Sequence, residues 1–509
     1  MSLLDTFIKW QVGKRVKHIK TWREDPIYFQ NKFLKKLIKE NSHTEFGKKY
    51  NIKNISNYSD FHKKIPIFSY EDFFPWIEKT MKGEEDIITH HGIYEYAKSS
   101  GTTNDRSKYI PTPRSYMKRN HREGGLDMLA NYIYLNPKTK IYFGSYIAVS
   151  GTLNKNNNDN FISGDISALI SRSMPWYTKF NMPYKKKLAL HPSWSYKSKE
   201  IINQSLTRDV RSLVGTSTWM LEMLEYAKEI TEAKSLHDVW PNLEVFFHGA
   251  VAFAPYKKAF DELFPDKPIN YRDVYNSAEG IFAFEDDAES HPRELLLLVD
   301  HDVYYEFIEM KDCLPVGNAV PLSDVKIGIE YAMIITTGSG LWRYMIGDTV
   351  VFVNISPYRL RIVGRTKYFI NAFGEELVAS NAEQAIEKAS KECGAIVRAF
   401  TAAPIFYKKT KTKNISQGAH EWAVEFANQD FNFEKFCKTL DENLREINSD
   451  YDSKRIGDVI LGAPVVYKIK EGTFRAWMES RGKLGGQHKV PVLSNERKYI
   501  DAVLNRSKI

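Results

Sequence analysis

Apolar side chains recur at spacings of three and four through the first 90 residues, most clearly over 29–38, and Asp60 stands ahead of Phe61 as a helix-starting residue. That period predicts a largely helical N-terminal segment. From Ile93 the texture changes to short runs rich in branched and aromatic residues, which predict strands at 93–97, 141–149, 243–248, 269–275, 294–299, 304–309, 331–336 and 349–353. A helical period over 217–233 lies among them, so this stretch reads as α/β with a mixed sheet.

Beyond Arg365 the pattern changes again. Helices are predicted at 380–392, 433–448 and 472–480, and strands at 395–402, 421–426 and 465–469. Few strands with two long helices describe a compact α+β domain of ordinary size. The expected organisation is therefore a large N-terminal α/β domain of mixed sheets and helices, 1–366, followed by a smaller α+β domain, 367–509. Length agrees, because 509 residues exceed what one hydrophobic core serves. Hydrophobic residues at 43% and charged residues at 27% supply a packed core and carry no mark of global disorder.

A formal net charge of +9 implies affinity for anions. Lysines are scattered along the whole chain, however, and the densest run, Tyr184-Lys185-Lys186-Lys187, has no nucleic-acid module beside it. A solvated surface is the simpler reading, and nucleic acid is not an expected partner. The three cysteines, Cys313, Cys393 and Cys437, are far apart, which excludes a disulfide framework and a thiolate zinc site and suits a reducing, cytoplasmic compartment. Residues 1–22 mix apolar residues with Lys and Arg and lack a continuous apolar stretch, so they read as a surface helix rather than a signal peptide. No run of about 18 apolar residues predicts a membrane span.

Three short motifs carry candidate chemistry. Tyr96-Ala97-Lys98-Ser99-Ser100-Gly101-Thr102-Thr103 leaves a predicted strand and precedes Lys108. Hydroxyls on small residues and N–H groups freed at a glycine turn can wrap phosphate oxygens, with Lys108 as a point charge; the same string also suits an ordinary Ser/Thr turn. It lacks Walker A spacing. Val274-Tyr275-Asn276-Ser277-Ala278-Glu279-Gly280 offers an aromatic ring for a purine and a carboxylate for magnesium, although Glu279 alone could equally cap a helix or pair with a surface Lys. Gly340-Leu341-Trp342-Arg343-Tyr344-Met345-Ile346-Gly347-Asp348 sets a carboxylate at the mouth of the predicted strand 349–353, suited to ribose hydroxyls or to a plain Gly-Asp turn.

Taken in order with Gly364-Arg365-Thr366-Lys367, these motifs resemble those of the adenylate-forming enzyme superfamily. More closely, they resemble the Gretchen Hagen, or auxin-responsive promoter, family of acyl-acid amido synthetases. Phe247-His248-Gly249-Ala250 with Tyr256, Tyr305-Glu306-Phe307-Ile308, Asn371-Ala372-Phe373-Gly374-Glu375 and Gly486-Gln487-His488-Lys489-Val490-Pro491 extend the likeness over nearly the whole chain. The resemblance, to a bacterial-type member, implies the adenylate-forming enzyme fold and two substrates, a carboxylic acid and an amine or amino acid, with ATP and Mg²⁺. Ser99, Ser100, Gly101, Thr102 and Thr103 would embrace the ATP phosphates with Lys108. Tyr275, Ser277 and Ala278 would line the adenine and acyl-carbonyl region, Glu279 would serve magnesium, and Asp348 would bind ribose with Arg365 close by. Lys489, matching the lysine of the family's terminal Gln-aromatic-Lys-x-Pro motif, would stabilise charge on the phosphates or acyl phosphate. Two departures from the plant pattern stand out: Asp105 where a glycine usually follows the phosphate loop, and Val492 where an arginine commonly follows the terminal Lys-x-Pro.

What this implies is a carboxylate converted to an acyl-adenylate and then attacked by an amine, with the smaller domain turning about residues 365–367 between the two steps. Walls of the acid pocket are expected from 142–150, 213–224 and 246–256, whose apolar content favours an apolar acyl group. Interception of the adenylate by a thiol such as coenzyme A is an alternative at the same ATP site. A non-catalytic nucleotide sensor on this fold is another, against which the presence of Glu279, Asp348 and Lys489 together argues.

Overall fold

The computed structural model describes residues 3–99, 108–154, 161–174, 181–250, 253, 257–291, 293–311, 314–365, 369–406, 418–458, 460–480 and 492–507. Contacts in space divide it into a large unit, Met1–Ser99, Lys108–Ala250 and Asp261–Thr366, and a small unit that contains Lys367–Ile509.

An eleven-stranded mixed sheet organises the large unit. Its spatial order is Leu314–Pro321, Val303–Lys311, Glu330–Thr337, Tyr344–Ile355, Tyr358–Arg365, Leu295–Leu297, Ile281–Phe284, Asn270–Asn276, Val245–Gly249, Val210–Thr216 and Ser145–Ala148. The last four run parallel to one another, and every pair from Asn270–Asn276 back to Leu314–Pro321 is antiparallel. Helical crossovers such as Ser217–Thr231 join the parallel strands, as parallel pairing requires. The turn between Asn270–Asn276 and Ile281–Phe284 is thus where the sheet changes from one regime to the other. A second, four-stranded sheet pairs Glu95–Ser99 with Lys108–Pro111 and Ile162–Gly164.

The N-terminal segment is helical as the period requires. The helix Leu3–Glu24 buries Val12, Ile19 and Trp22, and Arg15 pins it to the helix Glu123–Leu135 through Asp127 at 2.6 Å. One expectation is corrected here: Asn57, not Asp60, caps the helix Tyr58–Lys64, accepting from the Asp60 N–H, while Asp60 sits inside the first turn and holds Ser56. Among the described residues no helix is long and apolar enough to cross a membrane.

Most predicted strands of the large unit stand within a few residues of their expected places. The exception is 141–149, where a 3-10 turn, Ile141–Phe143, precedes the strand. Gly144 separates them, and a Cβ there would meet the Arg211 side chain at 2.4 Å. Val210–Thr216 and Tyr358–Arg365 escape the periodicity argument. The first buries residues without alternation, and the second carries arginines whose partners come from elsewhere, Arg359 being held by both oxygens of Asp286.

Aromatic packing at the motif Leu341-Trp342-Arg343 joins helices to sheet. Trp342 stacks on Phe46 with centroids 5.3 Å apart, and its ring N–H donates to the Ile88 carbonyl. Arg343 is 2% exposed, with Nε and Nη2 on the two Glu306 oxygens at 2.8 and 2.9 Å. Its remaining N–H groups meet the His62 and Ile65 carbonyls and His62 Nδ1.

The small unit is an antiparallel hairpin, Phe369–Ile370 with Leu377–Val378, followed by a three-stranded sheet of Val397–Phe406, Gly418–Phe426 and Val465–Ile469. Helices Ala379–Cys393 and Phe433–Ile447 carry the two long helical periods seen in the sequence, and Asn432 caps the second. A last helix, Lys498–Ser507, was not expected; it buries Ile500 and Val503 against Phe474 and Trp477. Glu375 and His420 form a fully buried pair at 2.8 Å.

Replacing Glu306 by Ala strands the Arg343 charge in the interior. The expected loss is about 3–5 kcal/mol of unfolding free energy, read as a lower urea midpoint; a loss below about 1 kcal/mol would show that the pair is not what joins these elements.

Candidate functional site

Tyr275 ends the last parallel strand, and its hydroxyl donates to Asp348 Oδ2 at 2.6 Å. Both side chains are nearly buried. Two residues singled out 73 positions apart in the sequence therefore meet at the carboxyl end of the parallel strands, where open α/β sheets take their ligands. Asp348 is not at a strand mouth, as expected, but inside Tyr344–Ile355, opposite Arg365. A register shift against Glu330–Thr337 leaves 346–348 out of step, and Gly347 takes φ +95° there. Such a bulge re-aims the following side chain, and only glycine adopts that backbone without strain.

The turn after Tyr275 closes on itself. Ser277 N–H donates to the Gly280 carbonyl at 2.8 Å, Ser277 Oγ to Glu279 Oε2 at 2.7 Å, and Glu279 N–H to Ser277 Oγ at 3.1 Å. Ala278 is buried beside them. Burial pushes the Glu279 carboxyl above the ordinary range; the Ser277 hydroxyl and the Lys108 charge pull it back, and Asp348 pushes with burial. Lys108 Nζ lies 5.4 Å from the Tyr70 ring centre, and burial raises the Tyr70 hydroxyl to about 12. Lys108, Tyr70, Glu279, Tyr275 and Asp348 thus share one electrostatic neighbourhood.

A desolvated carboxylate of this kind fits a hard divalent cation, whose charge would favour the ionised form. Magnesium in phosphate sites takes only one or two protein carboxylates. Among the described residues no cluster of three or more His, Cys, Asp or Glu side chains is placed for a metal.

Ser99 and Lys108 are register partners of adjacent antiparallel strands, one on each side of the Ser-Gly-Thr motif. Ser100, Gly101, Thr102, Thr103 and Asp105 lie outside the described residues, as does Lys489. Arg365 is described only as the backbone partner of Asp348. Val492 has a backbone task, accepting from the Ala402 N–H at 2.9 Å.

Two groups of residues escaped the sequence reading. Tyr116 donates to the Glu279 carbonyl at 2.7 Å, and Asn120 bonds both the N–H and the carbonyl of Ile281. A buried Asn within a helical run is the signal that could have found it, because Asn disfavours helix interiors. The second group, Asp273 and Glu285, forms a cross-strand row with His248 of the Phe247-His248-Gly249-Ala250 string. His248 Nδ1 lies 3.7 Å from Asp273, and Asp273 pairs across to Glu285, whose carboxylate takes the Asp273 N–H. Burial drives His248 down to about 3, and burial with the Glu285 charge brings Asp273 up to about 7. Gly249, next to His248, allows close approach, since a Cβ would meet Val274 O at 2.4 Å and Asn276 Oδ1 at 2.8 Å.

Comparison with known proteins matches the GH3 family N-terminal domain to residues 15–269, the GH3 family central domain to 296–365 and the GH3 family C-terminal domain to 380–498. Among relatives, an indole-3-acetic acid-amido synthetase, GH3.4 of Arabidopsis thaliana, is 23% identical, covering 94% of this chain and 91% of its own. The 4-substituted benzoates-glutamate ligase GH3.12 of the same plant is 22% identical over 91% of this chain and 92% of its own. A jasmonoyl-L-amino acid synthetase, JAR6 of Nicotiana attenuata, is 23% identical over 95% and 93%. In fold, the GH3.15 acyl acid amido synthetase superposes with a TM-score of 0.61 at 16% identity, over 96% of this chain and 95% of that one. A 2-hydroxyisobutyryl-CoA ligase follows at 0.52 and 12% identity, over 96% and 94%.

Glu279→Gln removes the buried charge and keeps the shape. Because the folded carboxyl titrates above its unfolded value, the wild type gives up stability as pH rises through the folded pKa. E279Q should therefore unfold at a higher temperature than wild type at pH 7, and the gap should close as the pH falls into the ordinary carboxylate range. Equal melting curves across that range would contradict the buried, charge-bearing Glu279.

Proposed function

This chain belongs to the GH3 family of adenylate-forming acyl-acid amido synthetases, and on that premise we propose that it uses ATP to activate a small apolar or aromatic carboxylic acid and joins it to an amino acid. The observation that carries the site assignment is the convergence of Tyr275, Asp348, Glu279 and Lys108 where the sheet changes from parallel to antiparallel. The named substrates of the relatives, indole-3-acetic acid, 4-substituted benzoates and jasmonic acid derivatives, all have apolar bodies, which supports the acid class.

A carboxylate is a poor acyl donor because its leaving group would be oxide. Attack of the carboxylate on the α-phosphate expels pyrophosphate and leaves a mixed anhydride. The amine then attacks the acyl carbonyl, AMP leaves, and the nitrogen gives up a proton. In the first step the protein's task is to align anions that repel each other. We assign the ribose hydroxyls to Asp348, held in place by the Tyr275 hydroxyl, and the purine face to the Tyr275 ring. Ser99, Ser100, Gly101, Thr102 and Thr103, with Lys108 and Lys489, take the phosphates, and Arg365 stands beside the ribose. Magnesium held by Glu279 would supply neutralising charge to the phosphates. We place the domain boundary at residue 366, with 1–366 binding ATP and acid and 367–509 turning between the two half-reactions.

The test is pyrophosphate release from ATP and Mg²⁺ across a panel of carboxylic acids, with and without mixed amino acids or coenzyme A. Acid-dependent release accelerated by amino acids is expected; acceleration by coenzyme A alone would make the enzyme a thioester ligase, and no release despite ATP binding would favour a sensor. In the active protein, Asp348→Ala should raise the KM for ATP at least tenfold, roughly the worth of a charge-assisted hydrogen bond. Lys489→Ala should lower kcat about 100-fold with the melting temperature unchanged.

A further inference from the structure

The Ser277–Gly280 turn does not hold itself in place. Its internal hydrogen bonds shape the turn, but those that anchor it to the rest of the protein come from a helical segment some 160 residues earlier. The Tyr116 hydroxyl donates to the Glu279 carbonyl at 2.7 Å. Asn120 Oδ1 accepts from Ile281 N–H at 2.7 Å, and Asn120 Nδ2 donates to the Ile281 carbonyl at 3.1 Å and the His301 carbonyl at 2.9 Å. Tyr116 is 1% exposed and Asn120 fully buried.

The approach is close enough to dictate glycines on both sides. A Cβ on Gly280 would stand 2.7 Å from the Tyr116 oxygen, and one on Gly124 would stand 2.7 Å from the Ile281 side chain. Between Tyr116 and Gly124 the helix widens into a π turn, Lys118–Arg122, a geometry rare in helices and frequent beside functional sites. Packing alone would be served as well by apolar residues, because a buried amide and a buried phenol are favourable only when every polar atom finds a partner. Here they find them on the backbone that carries Glu279.

We propose that Tyr116 and Asn120 are positioning residues that fix the Glu279 carboxylate for the magnesium-bound form of ATP. This rests on the assignment of Glu279 made above, and neither side chain need touch the substrate.

Calorimetric titration of ATP into the full chain, once with Mg²⁺ and once in EDTA, separates positioning from general stability. Tyr116→Phe keeps the ring and deletes only the donor. It should weaken ATP binding up to about tenfold in Mg²⁺, the upper range for one neutral hydrogen bond, while binding in EDTA stays within about twofold. Asn120→Ala should do the same more strongly; should it fail to fold, Tyr116→Phe alone decides. Equal weakening in both media, or no weakening in Mg²⁺, overturns the proposal, since a merely structural defect makes no distinction between the media. Glu279→Gln run alongside keeps the two readings apart. If it leaves the Mg²⁺ dependence of ATP binding intact, the assignment of Glu279 falls and the proposal falls with it; if it abolishes that dependence while Tyr116→Phe changes nothing, only the proposal falls.

Discussion

The guanidinium of Arg343 carries a full charge in a place with almost no access to water, so each of its N–H groups must be answered by protein. Glu306 answers two, from the strand Val303–Lys311, and the end of the helix Tyr58–Lys64 answers the rest. Tyr58 completes the shell, its hydroxyl donating to the Ala319 carbonyl at 2.7 Å with Glu306 Oε1 at 3.1 Å. Arg343 itself sits at φ +41°, its N–H on Thr336 Oγ1, and Phe68 exchanges backbone hydrogen bonds with Arg343 and Met345 on either side of Tyr344. The start of Tyr344–Ile355 is thereby clamped between a helix end and two strands, and the bulge that aims Asp348 follows within one turn of chain.

A second constraint is the change of hand within the sheet. Parallel strands need crossovers and leave their carboxyl ends open, whereas antiparallel strands close with short turns. The Ser277–Gly280 turn is the first short connection after four parallel strands, and it sets Tyr275 and Glu279, both buried, at the carboxyl end of those strands. Charge there is costly. Glu279 and Asp348 repel one another, and Lys108 offsets only part of the cost of burial. Such a cluster is less stable than an apolar one of the same shape; under the proposed function, that cost is what prepares it for a polyanion with its counter-cation.

Elements with a strong period were legible in advance. Ser217–Thr231 and Phe433–Ile447 stand where the spacing puts them, because each buries one face whose residues recur at helical spacing. Tyr358–Arg365 was not, since its buried Arg359 makes sense only with Asp286 opposite. The same holds at the site. Tyr275, Ser277 and Glu279 were visible as a motif, and Asp348 as another, but their meeting and the part of Tyr116 and Asn120 were not.

By itself the chain determined which chemistry was possible: the hydroxyl-rich loop, the Tyr-x-Ser-x-Glu string and the Gly-Asp pair are local facts, and their order along 509 residues was enough to place the protein among the acyl-acid amido synthetases. Tertiary structure decided what Tyr275, Glu279 and Asp348 face. Asp348 points at Tyr275 because a bulge turns it, and Glu279 is held by a helix that the chain passed 160 residues before. Local spacing encodes the period of one helix or one strand, but contacts across the sheet depend on where the other elements come to rest, and no spacing within the chain records that.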